Sequence, residues 1–427
     1  MNNDKRTHGL WEASAPAAPA TSLLLEDIQA DVVIIGAGYT GCSAALHLAE
    51  MGKKAVVVEA CEVGFGGAGR NVGLVNAGLW VMPEELPRQL GETYGERLLD
   101  QLGRAPRLVF DIVEKHGIAC EVHGEGTLHC AVGAAGLKEI TERAGQWQRR
   151  GADVELLDAD QARQAIGSKG YSGALLDRRA GTIQPLAYVR GLATAALAAG
   201  AEIYTRSPAA KVEDTGSAWR VQTQCGSVTA PFVIMSTDAY TSGPWQELKR
   251  EQVMLPYFNL ATKPLSDNLR QSILPGRQGC WDTREVLSSF RFDDAGRLVF
   301  GSVGALRGTG TGIHRSWARR EMRRLFPQLG TVEFDHEWFG WIGMTDDAIP
   351  RFHNLARNAY SISGYNGRGI APGTTFGRDL ARLAAGEITP DDFSLPLTAP
   401  GTPSLRTAKE AVYEYGAQAV HFIGAHI

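Results

Sequence analysis

The sequence predicts an α/β protein, and two observations near its start carry that prediction. Patterns typical of a strand, a glycine loop, a helix and a second strand follow one another, at residues 31–35, 36–41, 42–51 and 55–59. A unit of about 30 residues in this order is a parallel βαβ crossover. Both strand patterns are apolar without alternation, which is typical of strands covered on both faces of a sheet.

Length, composition and charge limit the classes of protein to which this chain can belong. The chain has 427 residues, of which 44% are hydrophobic and 21% charged, so it can bury a sizeable core and is not disordered. We expect two or three domains, with boundaries that need not be continuous in sequence. The 43 Lys and Arg nearly balance the 47 Asp and Glu, for a net charge of −4, so the sequence predicts no nucleic-acid partner.

The cysteines and the hydropathy pattern indicate the compartment. The six cysteines are scattered, without a CxxC pair or a histidine cluster at metal-ligand spacing, so we expect reduced thiols, no metal and a cytoplasmic protein. Residues 1–12 lack the apolar run of a secretory signal, and no stretch approaches ~18 uninterrupted apolar residues, so we expect no transmembrane segment. Peripheral contact with the inner face of a membrane stays open.

Further patterns place the remaining elements. Residues 13–22 are small and rich in proline, which predicts an extended arm, with the fold itself starting near Ala30. We expect helices at 95–116, 136–150 and 187–199, and a further helix that follows residues 364–369 and ends at Gly386. Strands are expected at 126–132 and 359–363. Three short runs, 203–204, 219–222 and 233–235, resemble a meander. A hairpin is expected from 287–292 and 297–302, across a turn at 293–296.

The loop from Gly36 to Gly41 has the GxGxxG spacing that binds a dinucleotide. Gly36 permits the tight turn, Gly38 lets the backbone approach a pyrophosphate, and Gly41 permits close packing of helix against strand. The N–H groups that open the helix then face the anion. Glu59 ends the second strand, where its carboxylate can accept hydrogen bonds from ribose hydroxyls.

The rest of the chain favours a flavin dinucleotide over a nicotinamide one. Two further glycine-dense stretches, 64–73 and 364–369, supply backbone donors for a cofactor held by several loops. A possible second fingerprint at 308–312 has no acid-terminated strand after it, so it is interpreted as a strand-to-helix connection. With one nucleotide site, the substrate itself must be the electron donor. An NAD-dependent dehydrogenase is the alternative.

Five motifs stand in a fixed order along the chain: Asp31–Gly41, Gly69–Gly73, Ile183–Pro185, Ser236–Thr241 and Gly364–Ile370. In residues and order they resemble the FAD-dependent amine and amino-acid oxidases of the D-amino-acid oxidase superfamily, over about residues 25–390. Leu10-Trp11 and the Gly-Phe-Gly-Gly variant that starts at Gly64 resemble most its γ-glutamylputrescine oxidase branch.

The resemblance implies a Rossmann-type FAD-binding domain interleaved with a substrate domain built on a mixed sheet. The implied FAD-binding domain comprises residues 30–80, 155–245 and 336–390, and the substrate domain residues 81–154 and 246–335. An N-terminal arm, 1–29, and a C-terminal extension, 391–427, flank them.

The resemblance also implies which residues hold the FAD. The implied contacts are Gly36, Gly38, Tyr39, Thr40 and Gly41 around the pyrophosphate, Glu59 at the ribose, Gly69, Arg70, Asn71, Val72, Gly73 and Leu74 in the second loop, Val212 at the adenine, and Gly340, Gly367, Arg368, Gly369 and Ile370 at the flavin. Arg368 and the helix that follows would stabilise negative charge at the flavin N1/O2 edge. Because no cysteine follows Cys280, we expect noncovalent FAD.

For the substrate, the resemblance implies contacts from Trp341 and Met344, with Tyr257 and Tyr365 as further candidates for an apolar wall. An amino-acid substrate needs a cation for its carboxylate. Ala371-Pro372 stands where sarcosine-oxidase-like relatives carry a lysine. Arg291, with Arg351 as a second choice, is the candidate for this cation.

We expect FAD-dependent oxidation of the C–N bond of a small amine or amino acid by hydride transfer to flavin, giving an imine. L-Pipecolate, in lysine degradation, is the favoured substrate. The alternatives are γ-glutamylputrescine or another N-substituted amine, and a non-catalytic flavin-binding module. The expected electron acceptor is oxygen or a respiratory quinone.

Overall fold

A computed structural model describes residues 8–424 of the chain. Its strands are β1 Asp27–Gln29, β2 Val32–Ile35, β3 Ala55–Val58, β4 Leu74–Val75, β5 Thr127–Ala131, β6 Val154–Leu157, β7 Gly173–Asp177, β8 Gly181–Thr182, β9 Glu202–Tyr204, β10 Lys211–Asp214, β11 Trp219–Gln222, β12 Ser227–Ala230, β13 Phe232–Met235, β14 Val253–Pro264, β15 Gly279–Asp282, β16 Ser288–Phe292, β17 Arg297–Val303, β18 Phe334–Met344, β19 Arg351–Ala356, β20 Ala359–Ser363 and β21 Leu397–Thr398.

The α-helices are α1 Leu10–Ser14, α2 Tyr39–Glu50, α3 Glu85–His116, α4 Gly133–Arg149, α5 Ala159–Ile166, α6 Pro185–Ala198, α7 Glu247–Arg250, α8 Asp267–Ser272, α9 Thr309–Leu325, α10 Ile370–Ala385, α11 Arg406–Ala411 and α12 Ala417–Ile423. One π-helical turn, Val412–Gly416, joins α11 to α12. None of the helices in the described range combines the length and the apolar content needed to cross a membrane.

A seven-stranded sheet, in the order β21-β19-β20-β13-β2-β3-β9, forms the first layer. Its strands from β20 to β9 run parallel. Alternate residues of β2 face opposite sides: Val32 and Ile34 pack against the helical layer that contains α2, α6 and α10. Val33 and Ile35 pack against a four-stranded sheet, β1-β12-β11-β10. Covering on both faces explains why neither strand of the crossover shows polar alternation.

An eight-stranded mixed sheet, in the order β18-β14-β17-β16-β15-β5-β7-β6, forms the second layer. The predicted hairpin is confirmed, because β16 pairs antiparallel with β17 across a turn in which Gly296 has a φ of +81°. Aromatic side chains of this sheet, among them Phe258, Phe290 and Phe300, form a second core with α9. The α/β class and the mixed second sheet are therefore confirmed.

Long-range strand pairing overturns the predicted meander. The runs at 203–204 and 233–235 belong to β9 and β13, which lie in the seven-stranded sheet, whereas 219–222 is β11 of the four-stranded sheet. The actual meander is β10, β11 and β12. Sheet membership also differs from the implied domains at two places. β7 and most of β18 lie within the residues of the implied FAD-binding domain, but both strands belong to the eight-stranded sheet.

The start of the fold was also predicted wrongly. Leu10 and Trp11, in α1, have no exposed surface, so packed structure begins well before Ala30. The Trp11 ring contacts the Trp338 ring edge-on, with ring centres 5.4 Å apart, and its Nε1 donates to the Asn71 carbonyl at 2.8 Å. The segment that follows, from Ala15 to Thr21, has no regular structure, as expected of an extended arm. The six cysteines all lie in the described range and none forms a disulfide, as expected.

We expect Trp11→Ala to lower the free energy of unfolding by about 3–5 kcal/mol, because it removes a fully buried aromatic side chain and the hydrogen bond to the Asn71 loop. Urea unfolding of the purified protein measures this loss. Leu25→Ala, at a side chain 66% exposed, is the matched control and should change stability by less than about 0.5 kcal/mol. Equal losses in the two variants would contradict the packed role of α1.

Candidate functional site

A cavity of about 1230 Å³ lies between the two large sheets. One end is bounded by the carboxyl ends of β2 and β3, and the other by the face of the eight-stranded sheet that carries Leu255, Tyr257 and Val303. This is the position at which parallel α/β sheets bind ligands. The loops after β2, β3 and β20 and the segment from Phe65 to Val72 contribute most of the wall between the two ends.

The loop after β2 is shaped by glycines that other residues cannot replace. Gly36 has a φ of +107°, and a Cβ on Gly41 would lie 2.0 Å from the Gly36 carbonyl oxygen. By contrast, a Cβ on Gly38 would meet only Ala68, at 3.9 Å, so any side chain there would project into the cavity. No side chain caps the N-terminus of α2, which therefore offers its first N–H groups to an anion.

Glu59 lines the same end of the cavity. Its Oε2 accepts from the Ala37 N–H at 2.8 Å and its Oε1 from the Cys61 N–H at 2.9 Å. Burial raises the pKa of this carboxyl above its usual value. Each oxygen keeps a further lone pair, so the carboxylate can also accept from hydroxyl groups of a ligand.

The second glycine loop is held in place by Arg70 and Asn71. The Arg70 side chain is 4% exposed, and its Nε donates to the Phe65 carbonyl at 2.9 Å. The Asn71 Nδ2 donates to the Tyr39 hydroxyl and the Gly67 carbonyl, each at 3.0 Å. These bonds fold the loop back on itself beside the start of α2.

The third glycine loop runs from β20 into α10, whose N-terminus also has no side-chain cap. The Tyr365 hydroxyl bonds the Thr40 hydroxyl at 2.7 Å, which ties this loop to the start of α2. The indole Nε1 of Trp80 donates to the Asn366 carbonyl at 2.6 Å. Two helix N-termini, those of α2 and α10, therefore open into one cavity.

The cavity brings together most of the predicted residues. It is lined by Gly36, Gly38, Tyr39, Thr40, Glu59, Arg70, Asn71, Val72, Leu74, Gly340, Gly367, Arg368, Gly369 and Ile370 from the cofactor set, and by Tyr257, Trp341, Met344 and Tyr365 from the substrate set. Gly41, Gly69, Gly73 and Val212 lie outside it.

Backbone packing and sheet position explain why four cofactor candidates lie outside the cavity. A Cβ on Gly69 would lie 2.4 Å from the Gly64 carbonyl oxygen, and one on Gly73 would lie 2.1 Å from the Ile183 carbonyl oxygen, so both glycines shape the loop, as Gly41 shapes its own. Val212 belongs to the four-stranded sheet. Pro208 and Ala209, just before it, line the cavity instead.

The expectation that Arg291 binds a substrate carboxylate is wrong. The side chain has no exposed surface and does not line the cavity. Its Nε donates to the Phe292 carbonyl at 2.9 Å, Nη1 donates to the Ile183 carbonyl, and Nη2 lies 3.8 Å from Glu121 Oε2. Arg351, the second choice, pairs with Asp347 at 2.8 Å and also lies outside the cavity.

Sequence reasoning missed several residues of the site. Trp80, Trp281 and Tyr413 line the cavity, although they come from a loop, from β15 and from the turn between α11 and α12. A single aromatic residue carries no local signal of this kind. Asp238 did have a signal, because it lies in the Ser236–Thr241 motif.

Asp238 joins the two halves of the cavity wall. Its φ is +44°, an unfavourable backbone conformation for a residue with a side chain. Its Oδ1 accepts from the Gly364 N–H at 2.7 Å, which connects the segment after β13 to the loop after β20. Burial raises the pKa of this carboxyl to about 6.

Comparisons with known proteins agree with this geometry. The family model described as DAO, FAD dependent oxidoreductase, matches residues 31–383. A gamma-glutamylputrescine oxidoreductase of Escherichia coli (strain K12) is 31% identical over 386 residues, 90% of each chain. A probable oxidoreductase, OrdL, of Rhizobium meliloti (strain 1021) is 31% identical over 396 residues, 92% of each chain.

Solved structures share the fold. Glycine oxidase from Geobacillus kaustophilus has a TM-score of 0.69 at 18% identity, over 84% of this chain and 96% of its own. L-Amino acid deaminase from Proteus myxofaciens has a TM-score of 0.71 at 15% identity, over 89% of this chain and 96% of its own.

We expect the stability gain from Asp238→Asn to grow as the pH rises from about 4 to about 7. The unfolded carboxyl titrates near pH ~3.9, whereas in the fold its pKa is about 6. Between these values the folded protein holds a proton that the unfolded chain has lost, so the parent loses stability as the pH rises. Asparagine does not titrate, so the difference should grow by about 2 kcal/mol and then level off.

Urea unfolding of the FAD-free protein across this pH range measures the difference. Asp153→Asn, at a side chain 71% exposed, is the matched control. A difference between Asp238→Asn and the parent that stays constant with pH would show that the raised pKa does not act on stability.

Proposed function

The chain belongs to the DAO family of FAD-dependent oxidoreductases, and we propose that it oxidises the C–N bond at the amine end of a γ-glutamylated polyamine such as γ-glutamylputrescine. FAD-dependent oxidation of an amine or amino acid is the activity common to the family and its relatives. The nicotinamide alternative and the non-catalytic alternative are therefore set aside.

The residues of the cavity fit FAD. A diphosphate requires donors and close backbone approach, and the uncapped start of α2 together with the open side of Gly38 provides both. Glu59, anchored by two backbone N–H groups, is placed to hold the ribose hydroxyls. Arg70 and Asn71 line the middle of the cavity, and the N-terminus of α10 suits the electron-rich edge of the flavin. Noncovalent attachment stays a prediction.

One observation supports the proposed class of substrate. The gamma-glutamylputrescine oxidoreductase relative is aligned over 90% of both chains at 31% identity, so the alignment extends over most of both sheets and not only over the dinucleotide-binding crossover. L-Pipecolate finds no comparable support. The comparisons favour the alternative that the sequence left open over the substrate that it favoured.

The end of the cavity against the eight-stranded sheet, hereafter the chamber, has a chemistry that suits such a substrate. Leu255, Tyr257 and Val303 give an apolar wall on one face of the eight-stranded sheet. The Trp341 ring packs against Phe339 on the other face of that sheet. The Tyr257 hydroxyl is bonded to Ser289 at 2.6 Å, so it presents its ring rather than an unbonded hydroxyl. An apolar wall of this kind accommodates an aliphatic amine in its neutral form and excludes water from it.

The far end of the chamber is polar and is completed by the C-terminal segment. Glu285, an exposed side chain, and Tyr413 both line the cavity. Tyr413 is held there because Glu410 accepts from the Met254 N–H at 3.1 Å and Glu414 pairs with Arg307. The Arg307 guanidinium lies 5.3 Å from the centre of the Trp341 ring. This end offers room, and the charge of Glu285, for a second polar group of a long substrate.

When bound, FAD supplies the two-electron acceptor for the carbon next to the amine nitrogen. The contribution of this chain is to orient that carbon and to keep it dry, through Leu255, Tyr257 and Val303. Because the amine must lose its proton before its lone pair can assist, the rate should rise with pH. The electron acceptor in turnover is proposed to be oxygen or a quinone.

We expect Gly38→Val to abolish FAD binding and to leave the fold intact. The backbone at Gly38, with φ −85° and ψ −168°, suits valine, but the new side chain would occupy the space for the diphosphate. Visible flavin absorbance relative to protein absorbance should fall at least about tenfold, since the backbone could no longer approach the anion. Gly124→Val, where a Cβ meets nothing within 4 Å, is the matched control and should remain yellow. A fully loaded Gly38→Val protein would place the diphosphate elsewhere.

We expect γ-glutamylputrescine to bleach the flavin of the holoenzyme under anaerobic conditions. A panel with L-pipecolate, D-pipecolate, proline, sarcosine and putrescine, followed by flavin absorbance, tests the proposal, because only a substrate reduces the cofactor. Faster bleaching by L-pipecolate than by γ-glutamylputrescine would overturn the proposed substrate class. Admission of air to the bleached protein then separates the acceptors, because rapid return of the yellow colour indicates oxygen.

A further inference from the structure

Arg368 is a buried cation whose hydrogen bonds are incomplete. Its side chain is 7% exposed and lines the cavity, and the guanidinium lies between the rings of Trp80 and Trp281, 4.6 and 4.7 Å from their centres. Nη1 donates to the carbonyls of Ala77 and Gly78, at 3.2 and 3.4 Å. The aromatic rings and the carbonyls fix both the plane and the direction of the guanidinium.

No carboxylate of the described residues is in direct contact with this charge. Within residues 8–424, no carboxylate lies within 4.0 Å of the Arg368 guanidinium, and neither Nε nor Nη2 has a hydrogen-bond partner. A second buried cation, Arg143, adds repulsion: burial first, and then Arg143, lower the pKa of Arg368 to about 9, and the more distant Asp177 carboxylate offsets only part of this. Buried charges are normally paired, so this arrangement favours an anion that arrives with a ligand.

The position of the guanidinium indicates which ligand brings the anion. Trp281 lies on β15 of the eight-stranded sheet, and His129 on β5 stacks on its indole, with ring centres 3.4 Å apart. The guanidinium therefore reaches out of the third glycine loop toward the substrate side of the cavity. It is rigidly held there before any ligand binds.

We propose that Arg368 binds the carboxylate of the substrate, so that the substrates of this protein are amines that carry a carboxylate at a distance from the reacting nitrogen. The proposal rests on the proposed function and deepens it, because the glutamyl end of a γ-glutamylated polyamine carries such a carboxylate. It also changes the expected role of Arg368, from the flavin edge to the substrate.

A binding experiment tests the proposal without turnover. Glutarate, a dicarboxylate, and glutaramide, its uncharged counterpart, are titrated into the yellow holoenzyme, and the perturbation of flavin absorbance is followed with tryptophan fluorescence as a second readout. We expect glutarate to bind at least about tenfold more tightly than glutaramide, because charge-assisted hydrogen bonds contribute this much. Equal binding of the two by the unmodified protein would overturn the proposal.

Variants locate the effect at Arg368. Arg368→Met should remove the preference for glutarate, and Arg368→Lys, which keeps the charge but not the planar fork, should retain part of it. Arg357→Met is the matched control, because Arg357 is exposed and pairs with Asp214 at 3.1 Å. A preference that survives in Arg368→Met would overturn the proposal.

Kinetics then separate a substrate role from a flavin role. γ-Glutamylputrescine and N-acetylputrescine share the reacting end, but only the first carries a carboxylate. Arg368→Met should lower kcat/KM by about 10- to 100-fold for the first, mainly through KM, and by less than about threefold for the second. An equal loss with both compounds, together with a shifted flavin reduction potential, would assign Arg368 to the flavin. If no amine reduces the parent flavin but glutarate selectivity holds, the proposed function fails and the carboxylate site stands.

Discussion

The close approach of α2 to the end of β2 is the constraint on which the site depends. With a Cβ on Gly41 the helix could not start within contact of the Gly36 carbonyl, and its N-terminus would move away from the sheet edge. Because β13 pairs directly with β2, the same approach positions Ser236, whose hydroxyl donates to the Gly36 carbonyl at 3.0 Å. The diphosphate cradle and the neighbouring wall are therefore set by a single backbone contact.

Local sequence patterns predicted those helices and strands whose formation depends on residues close to one another in sequence. The first crossover, the hairpin of β16 and β17 and the strand and helix around the third glycine loop follow from turn chemistry and periodicity. Sheet membership could not be read in this way. The short runs at 203–204 and 233–235 look alike in sequence, yet they take positions next to β3 and β2 through pairings with strands near the start of the chain.

The residues of the site also differ in whether a local sequence pattern could predict them. Residues in glycine-rich motifs were predicted because the backbone geometry that they permit is itself the function. At the substrate end, Tyr257 and Met344 were implied by the resemblance, but Trp281 and Tyr413 were not predicted, because their role depends on which surfaces the eight-stranded sheet and the C-terminal segment present. Arg291 illustrates this limit: it lies on the predicted hairpin and on the same face as Ser289, which lines the cavity, but two residues further along the strand it is covered by the carbonyls of Gly73 and Ile183. Arg368, in a motif, was predicted to lie at the site, but its neighbours Trp80 and Trp281 were not.

The interleaved order of the strands has a consequence for biogenesis. The cradle loops follow β2 and β3 near the start of the chain, but their sheet gains its central neighbour β13 only after the first strands of the other layer have been made, and gains β20 later still. Pairings between such distant segments are slow to form, because a long loop must be closed first. A nascent chain on the ribosome therefore lacks a complete coenzyme pocket until the segment through α10 has emerged, so capture of the vitamin-derived group is a late step.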